Sequence, residues 1–287
     1  MQPESLNLNL LIILDSREGL KFLEELPMFG RLKDVKAVIT GGAGAIGMAT
    51  AQAFLKEGAL VFVTDYDVET VDRAVKTLKA RSDSVFGYPA DVTSNDEVAV
   101  MMGKAADSMN GITALINNAG IVSPGYLVDQ LTTDIDRVID VNTKGVIICT
   151  QAAIPYLEGS ENASITSTSS QAGKRGWDQN AIYSASKAAV IGFSRSMAVE
   201  LAPAVRVNSI APGHIKGEGM AWAAFAKRKQ SNQTIEDFSA DLAATEIPLK
   251  RLQSASDIAN GFVFLTSKEA SEITGAVLNI GGGVVMD

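Results

Sequence analysis

The chain has 287 residues, of which 46% are hydrophobic and 20% are charged. This composition is typical of a soluble globular protein with a sizeable core. The net charge of −8 argues against binding to nucleic acid. Cys149 is the only cysteine and His214 the only histidine, so an intramolecular disulfide is excluded and we expect no metal site.

Residues 1–30 precede the first predicted strand. Leu6–Leu14 is apolar, but it is short, contains Asn7 and Asn9, and follows no Lys or Arg. It is therefore typical of neither a signal peptide nor a membrane span, and we expect a cytoplasmic protein that does not bind membranes. Arg17–Leu26 suits a short helix that docks on the body or on another subunit, with an early start codon or a frayed tail as the alternative.

A glycine-rich turn is the first motif along the chain. Val35–Ile39 predicts a strand and Met48–Glu57 a helix, and the sequence Thr-Gly-Gly-Ala-Gly-Ala-Ile-Gly joins them at positions 40–47. Glycines let the backbone approach a pyrophosphate, which then accepts hydrogen bonds from amides at the start of the helix. A tight turn also needs glycine for steric reasons alone. The neighbouring elements must therefore decide whether this turn binds a pyrophosphate.

The next strand supplies that context. Leu60–Thr64 predicts a second strand, and Asp65 follows it directly. A dinucleotide-binding fold places an acid near this position against the ribose of the adenosine. Because a carboxylate there would repel the 2′-phosphate of NADP, the sequence favours NAD as cofactor. An ordinary carboxylate at the end of a strand is the alternative for Asp65 and for Asp91.

The remaining pattern predicts the fold class. Strand and helix signals alternate from Val35 to Val285, with no Pro/Gly/Ser-rich linker between them. Such alternation predicts an α/β protein, a single-domain Rossmann-type doubly wound parallel sheet flanked by helices, over residues 31–287.

Tyr183 and Lys187 are four residues apart in a long predicted helix, so their side chains lie on one helix face. A cation about 4 Å from a phenol favours the phenolate by about 4 kcal/mol at an effective dielectric near 20. The pattern therefore predicts that Lys187 lowers the pKa of Tyr183 enough for proton exchange near neutral pH. Taken alone, the pair also fits a solvated helix surface.

Several motifs together resemble the short-chain dehydrogenase/reductase family over Leu32–Asp287. They are the glycine turn, Asn117-Asn118-Ala119-Gly120, Ser170 at the family's interval before Tyr183, and Pro212-Gly213 after the predicted strand Val205–Ile210. The resemblance implies an NAD-dependent oxidoreductase that interconverts a secondary alcohol and a ketone. A dinucleotide-sensing protein without turnover is the alternative from a different class.

The resemblance also implies roles for individual residues. Ser170 would hydrogen-bond the substrate oxygen, Tyr183 would exchange the proton, Lys187 would hold the nicotinamide ribose, and Asn142 would anchor a water that links Lys187 to solvent. Read singly, Asn142 also suits a helix N-cap and Ser170 a polar strand end. The residues implied for cofactor binding are Gly41, Ala45, Ile46, Gly47, Asp65, Asp91, Val92, Asn118, Ala119, Gly120, Tyr183, Lys187, Pro212, Gly213 and Ile215.

The substrate is expected to bind beneath residues 213–248, a connection longer than an ordinary loop and typical of a lid. The predicted substrate-binding residues are Ser170, Gln171, Tyr183, Glu218 and Trp222. Sequences around Gln171 and Glu218 are similar to sorbitol-type polyol dehydrogenases, and both side chains suit a substrate rich in hydroxyl groups. We expect a sugar alcohol or small diol, with reduction of a bulkier ketone (3-oxoacyl or steroid-like) as the alternative.

Two positions depart from the family pattern, and one segment bears on assembly. Ala45 replaces the second glycine of the usual turn, and Gly217 replaces a threonine that commonly binds the nicotinamide amide. The added methyl group of Ala45 is expected to crowd the pyrophosphate modestly without abolishing cofactor binding. Family members commonly pair through the helices that bear Asn142 and Tyr183, so we expect a homo-oligomer, a tetramer or a dimer. Ala276–Asp287 suits a subunit contact or a final core strand.

Overall fold

The computed structural model describes residues 30–217, 222, 229 and 232–286. Most of the predicted N-terminal extension and Glu218 of the predicted lid lie outside these described residues.

Seven parallel strands form one sheet in the spatial order β3-β2-β1-β4-β5-β6-β7. The strands are β1 (Lys36–Thr40), β2 (Leu60–Thr64), β3 (Val85–Gly87), β4 (Ala114–Asn117), β5 (Ala163–Thr168), β6 (Val205–Pro212) and β7 (Val277–Ile280). The chain order reverses between β1 and β4. In an open parallel sheet, ligands bind outside the carboxyl ends of the strands at such a reversal.

Helices connect the strands and cover both faces of the sheet. They are α1 (Ala45–Lys56), α2 (Val68–Lys79), α3 (Asn95–Met109), α4 (Thr132–Ile139), α5 (Gly145–Leu157), α6 (Ala181–Glu200), α7 (Ile235–Glu246) and α8 (Ala255–Thr266). One apolar core packs α1, α2 and α8 against the sheet, with Phe54 and Phe262 among its buried residues. A second core packs α3, α5 and α6 against the other face, with Met101 and Leu115 inside it. This arrangement confirms the predicted doubly wound parallel sheet.

The helix after the glycine turn begins at Ala45, three residues before the predicted start at Met48. Gly47 therefore lies in the first turn of α1, where a Cβ atom would stand 2.2 Å from the carbonyl oxygen of Gly41. Only glycine allows this close packing of helix on turn, and the packing carries the first amides of α1 to the carboxyl edge of the sheet.

Val277–Ile280 in the C-terminal segment forms a half-buried strand that pairs with β6 at the edge of the sheet, and the subunit contact expected for this segment stays a prediction. Within the described part of the chain, no helix is both long and apolar enough to cross a membrane.

Candidate active site

A cavity of about 1110 Å³ opens at the carboxyl ends of the strands. It exceeds the roughly 300–1000 Å³ of common ligand pockets, so it has room for a large cofactor and a substrate. Most of the predicted site residues line it, namely Gly41, Ala45, Ile46, Asp65, Asp91, Val92, Asn118, Ala119, Gly120, Ser170, Gln171, Tyr183, Lys187, Pro212, Gly213, Ile215 and Trp222. Gly47 and Asn142 are not among its lining residues, and both support it from behind.

Helix α6 and the end of β5 bring three predicted catalytic side chains together. Tyr183 and Lys187 lie on consecutive turns of α6, and the Tyr183 hydroxyl is hydrogen-bonded to Ser170. The Ser170 oxygen also accepts a hydrogen bond from the backbone N–H of Ala172, at 3.1 Å. The ammonium of Lys187 lies 5.8 Å from the centre of the Tyr183 ring. Two hydroxyl groups and a cation thus meet in one cavity wall.

The pKa of Tyr183 differs from the sequence prediction. Burial raises the pKa of the phenol above its usual value, and the hydrogen bond with Ser170 opposes the increase only in part. Lys187 is almost fully buried, donates to the carbonyl oxygen of Thr168 at 2.8 Å, and has its pKa lowered by burial to about 8. The net direction is opposite to the predicted lowering because burial outweighs the other contributions, and the separate contribution of Lys187 stays a prediction.

Asn142 lies in a π-helical turn, Asp140–Lys144, which joins α4 to α5 without a break. Its Oδ1 accepts from the N–H of Ile121 at 2.8 Å, and its Nδ2 donates to the Ile121 carbonyl at 2.9 Å and to Ser186 Oγ at 3.0 Å. The alternative that Asn142 caps a helix is wrong, since helical geometry continues on both sides of it. The residue instead fixes the loop after β4 against α6.

Gly120 completes this arrangement. A Cβ atom on Gly120 would come within 3.2 Å of both Asn142 Oδ1 and Lys187 Nζ. Because Gly120 has no side chain, the loop after β4 can lie close to both the Asn142 amide and the Lys187 ammonium.

The glycine turn and the Asn-Ala-Gly segment form one packed unit. Asn118 Nδ2 donates to the carbonyls of Thr40 and Gly41, at 3.2 and 3.1 Å. Gly41 has a φ angle of +59°, and a Cβ atom on it would lie 2.8 Å from Ala119 Cα. Asn118 thus holds the turn in a backbone conformation that favours glycine.

Two carboxylates lie at the far end of the cavity, beyond β2 and β3. Burial raises the pKa of Asp65, while the backbone N–H groups of Tyr66 and Ala43 donate to its carboxylate and partly offset this effect. Asp91 is exposed and accepts from the N–H and hydroxyl groups of Thr93, at 2.9 and 2.8 Å. Asp65 is therefore held by the glycine turn itself.

The start of α1 fits a pyrophosphate. Its N-terminus has no side-chain cap and no acidic residue in its first turn, and Gly44, Ala45 and Ile46 all line the cavity. The first amides of a helix need external acceptors, and an anion supplies them at the positive end of the helix. The residues present therefore fit a dinucleotide that extends from Asp65 to Lys187.

The wall beside Ser170 contains residues that the sequence did not assign to the site. Trp177 lines the cavity, and its ring lies edge-on to His214, with centroids 5.2 Å apart. His214 Nε2 lies 3.2 Å from Gln171 Nε2 and 3.9 Å from the Glu246 carboxylate. The chain has two tryptophans, and both line this cavity. In the sequence, Trp177 lies between Ser170 and Tyr183, and this position is the signal that could have assigned it to the site.

The fold is that of a dinucleotide-binding protein, and the cavity brings Ser170, Tyr183 and Lys187 together. The family model for short chain dehydrogenases matches residues 35–229. The chain belongs to the short-chain dehydrogenase/reductase family, whose members use a nicotinamide cofactor. It is thus an oxidoreductase of the secondary alcohol/ketone type.

Individual relatives have different substrates in their names. The chain is 36% identical over 257 residues to 3-oxoacyl-[acyl-carrier-protein] reductase FabG of Thermotoga maritima, covering 89% of this chain and 100% of the relative. It is 32% identical to 2-(S)-hydroxypropyl-CoM dehydrogenase 3 of Xanthobacter autotrophicus, covering 90% and 99%. Among solved structures, a short-chain dehydrogenase/reductase described as glucose/ribitol dehydrogenase from Brucella melitensis matches with a TM-score of 0.79 at 32% identity, covering 91% of this chain and 100% of that one. The ligand-free aldohexose dehydrogenase of Thermoplasma acidophilum matches with a TM-score of 0.80 at 30% identity, covering 89% and 96%.

Proposed function

We propose that the protein is an NAD-dependent dehydrogenase of a small neutral alcohol, with a sugar alcohol or small diol as substrate. The observation that carries the reaction is that Ser170, Tyr183 and Lys187 line one cavity that also has room for a dinucleotide, with Tyr183 and Lys187 on consecutive turns of α6. This arrangement also favours an enzyme over a sensing protein without turnover.

Each residue of the site has a separate proposed role. Ser170 would position the substrate oxygen by a hydrogen bond, and Tyr183 would accept its proton during oxidation or donate one during reduction. Bound NAD would supply the hydride acceptor. Lys187 would hold the nicotinamide ribose, the glycine turn and the first amides of α1 the pyrophosphate, and Asp65 the hydroxyls of the adenosine ribose.

The choice of NAD over NADP rests on charge. Asp65 lines the adenosine end of the cavity, and no Lys or Arg lies beside it among the described lining residues. A 2′-phosphate would therefore meet a carboxylate without a compensating cation, which costs free energy in a partly buried site.

The choice of a small polar substrate rests on the wall around Ser170. Gln171, Trp177 and His214 line this wall, where Gln171 Nε2 and His214 Nε2 lie 3.2 Å apart, and polar side chains in a pocket select for substrate hydroxyls. Asp136, Asp140 and Asp178 also line the cavity, whereas Arg137 and Lys187 are its only Lys or Arg within the described part of the chain. This balance disfavours a substrate attached to an acidic carrier and is compatible with the sugar dehydrogenases among the structural neighbours.

Reduction of a bulkier ketone is the second candidate. Trp222 lines the cavity and packs against Phe238 of α7, with ring centroids 6.5 Å apart. An aromatic pair of this kind suits a larger apolar substrate, and FabG proteins are among the sequence relatives.

The test is a matrix of cofactor and substrate. Purified protein is assayed with NAD and NADP against polyols, small diols, cyclic alcohols, 3-oxoacyl thioesters and lipophilic ketones, following nicotinamide absorbance. Tyr183→Phe is the control for contaminating dehydrogenases. We expect turnover of polyols or diols with NAD. Turnover restricted to thioesters or lipophilic ketones would reject the substrate proposal, and cofactor binding without any turnover would favour a sensor.

We further propose a cytoplasmic homo-oligomer, a tetramer or dimer. Ile147 on α5 and Val199 on α6 are exposed apolar residues on the two helices through which family members commonly pair. Light scattering of the purified protein measures the subunit number, and a monomer at micromolar concentration would contradict the proposal.

A further inference from the structure

Trp177 forms part of the cavity wall, and no hydrogen bond of its indole group holds it there. The indole N–H is buried and has no hydrogen-bond partner among the residues that the structure describes. On the cavity side, the ring lies edge-on to that of His214, at an interplanar angle of 85°. The position of this part of the wall therefore depends on the groups that pack against the Trp177 ring.

Arg175 supplies the second contact of that ring. Its guanidinium carbon lies 4.3 Å from the centre of the Trp177 ring, within the range of a cation–π interaction. Arg175 is exposed and is not among the lining residues of the cavity. It also forms no ion pair with a carboxylate of the described residues. The guanidinium thus contacts the wall without being part of the cavity surface.

The backbone of Arg175 is tied to the turn that carries Ser170. The N–H of Arg175 donates to the carbonyl of Gln171 at 3.1 Å, and the N–H of Gly173 donates to the carbonyl of Ser170 at 2.9 Å. The base of the arginine side chain is therefore fixed relative to Ser170. Through the cation–π contact, the same backbone also sets the position of the Trp177 ring.

We propose that Arg175 is a positioning residue that holds Trp177 in the cavity wall and thereby makes the enzyme favour small alcohols over bulky ones. The proposal rests on the proposed function, because it takes the Trp177 wall to be the wall of the substrate site. A cation–π contact at an exposed site corresponds to a roughly 2- to 5-fold change in an equilibrium. Without the guanidinium, the indole should leave the wall more often and admit larger substrates.

The first test measures selectivity in a double-mutant cycle. The value of kcat/KM is determined for a small polyol or diol and for a bulky cyclic alcohol, with wild type, Arg175→Leu, Trp177→Ala and the double variant. We expect Arg175→Leu to lower the ratio of small to bulky substrate roughly 2- to 5-fold through KM, with kcat within about twofold of wild type. Arg175→Lys should restore part of the ratio. In the Trp177→Ala background, loss of Arg175 should have no further effect.

Lys104→Leu is the matched control. The Lys104 ammonium lies 4.8 Å from the centre of the Tyr88 ring, and neither residue lines the cavity. This substitution also removes a cation–π contact, and it should leave the ratio unchanged.

The second test follows the Trp177 ring directly. The chain has two tryptophans, so Trp222→Phe leaves Trp177 as the only indole. In this background, acrylamide quenching of the tryptophan emission should increase when Arg175→Leu is added and stay the same when Lys104→Leu is added. Thermal unfolding of each variant checks that the fold is intact.

An unchanged ratio in Arg175→Leu, an equal effect in the Trp177→Ala background, or unchanged quenching would overturn the proposal. If wild type reduces only thioesters or lipophilic ketones, the proposed substrate fails, and the same cycle with a small and a bulky ketone decides the role of Arg175. Absence of any turnover rejects the proposed function and the role in selectivity together, whereas a failure confined to Arg175→Leu rejects the role in selectivity alone.

Discussion

Replacement of Asp65 by asparagine tests the proposed cofactor preference directly. The amide has nearly the shape of the carboxylate, and its oxygen retains the hydrogen bond from the Tyr66 N–H, which is 3.0 Å long in the structure. Only the negative charge is removed. Two unit charges about 5 Å apart repel by about 3 kcal/mol at an effective dielectric near 20. Because Asp65 is only half-buried, solvent screening reduces this repulsion to about 1–2 kcal/mol.

We therefore expect Asp65→Asn to shift the ratio of NADP to NAD dissociation constants by roughly 5- to 30-fold toward NADP. The assay is titration of each cofactor into wild type and variant, followed by kcat/KM for both cofactors with one alcohol. An unchanged ratio would refute the electrostatic argument, and a wild-type preference for NADP would refute the cofactor assignment.

The pH dependence of the same ratio gives a second readout. Burial raises the pKa of Asp65, so as the pH falls its charge is lost at a higher pH than the charge of an exposed carboxylate. Discrimination against NADP should therefore weaken on acidification in wild type. Asp65→Asn is the control for titration of the 2′-phosphate itself, and an equal pH effect in the variant would contradict a role of Asp65.

Three further outcomes are expected. Tyr183→Phe should lower kcat by about 10²- to 10⁴-fold in steady-state assays while the dissociation constant of NAD stays within a few fold; an undiminished kcat would exclude Tyr183 as the proton carrier. Because the pKa of Tyr183 is raised, pH–rate profiles should show alcohol oxidation accelerating and ketone reduction slowing as the pH increases, and flat profiles would contradict this role. Ser254→Ala should lower the melting temperature by about 2–4 °C without changing kcat/KM. The substitution removes the N-cap of α8, in which Ser254 Oγ accepts a hydrogen bond from the Asp257 N–H at 3.2 Å. An unchanged melting temperature would count against a stabilising cap.

The elements around the dinucleotide site were predictable because their signals are local. The apolar run Leu60–Thr64 matches β2 residue for residue, and Asp65 follows it at the carboxyl edge as expected. Glycine at positions 41 and 47 reflects backbone contacts within a single turn, so the sequence reveals them without knowledge of the rest of the fold. The start of α1 was placed too late, since nothing local distinguishes a glycine in a turn from a glycine packed in the first turn of a helix.

Other features depend on contacts between distant segments. Asn142 is directed at Ile121 and Ser186 by a π-helical turn, and no short sequence pattern identifies such a turn in isolation. Trp177 and His214 are far apart in sequence but lie side by side in the cavity. Their role in the wall emerges only once the ends of β5 and β6 are adjacent in the sheet.

Spacing alone does not give the protonation of the predicted catalytic pair. Four residues of separation on a helix place Lys187 near Tyr183, but the pKa of each group follows from its burial, which raises that of the phenol and lowers that of the ammonium to about 8. In the free protein, burial therefore favours the neutral phenol, the form that could donate a proton in ketone reduction. Proton removal from an alcohol needs additional positive charge near the phenol, and the oxidised nicotinamide ring carries such a charge. Tyr183 should thus titrate at lower pH in the complex with oxidised cofactor than in the free protein. Difference absorbance of the phenolate measures both values, and equal values would show that the cofactor's charge does not activate Tyr183.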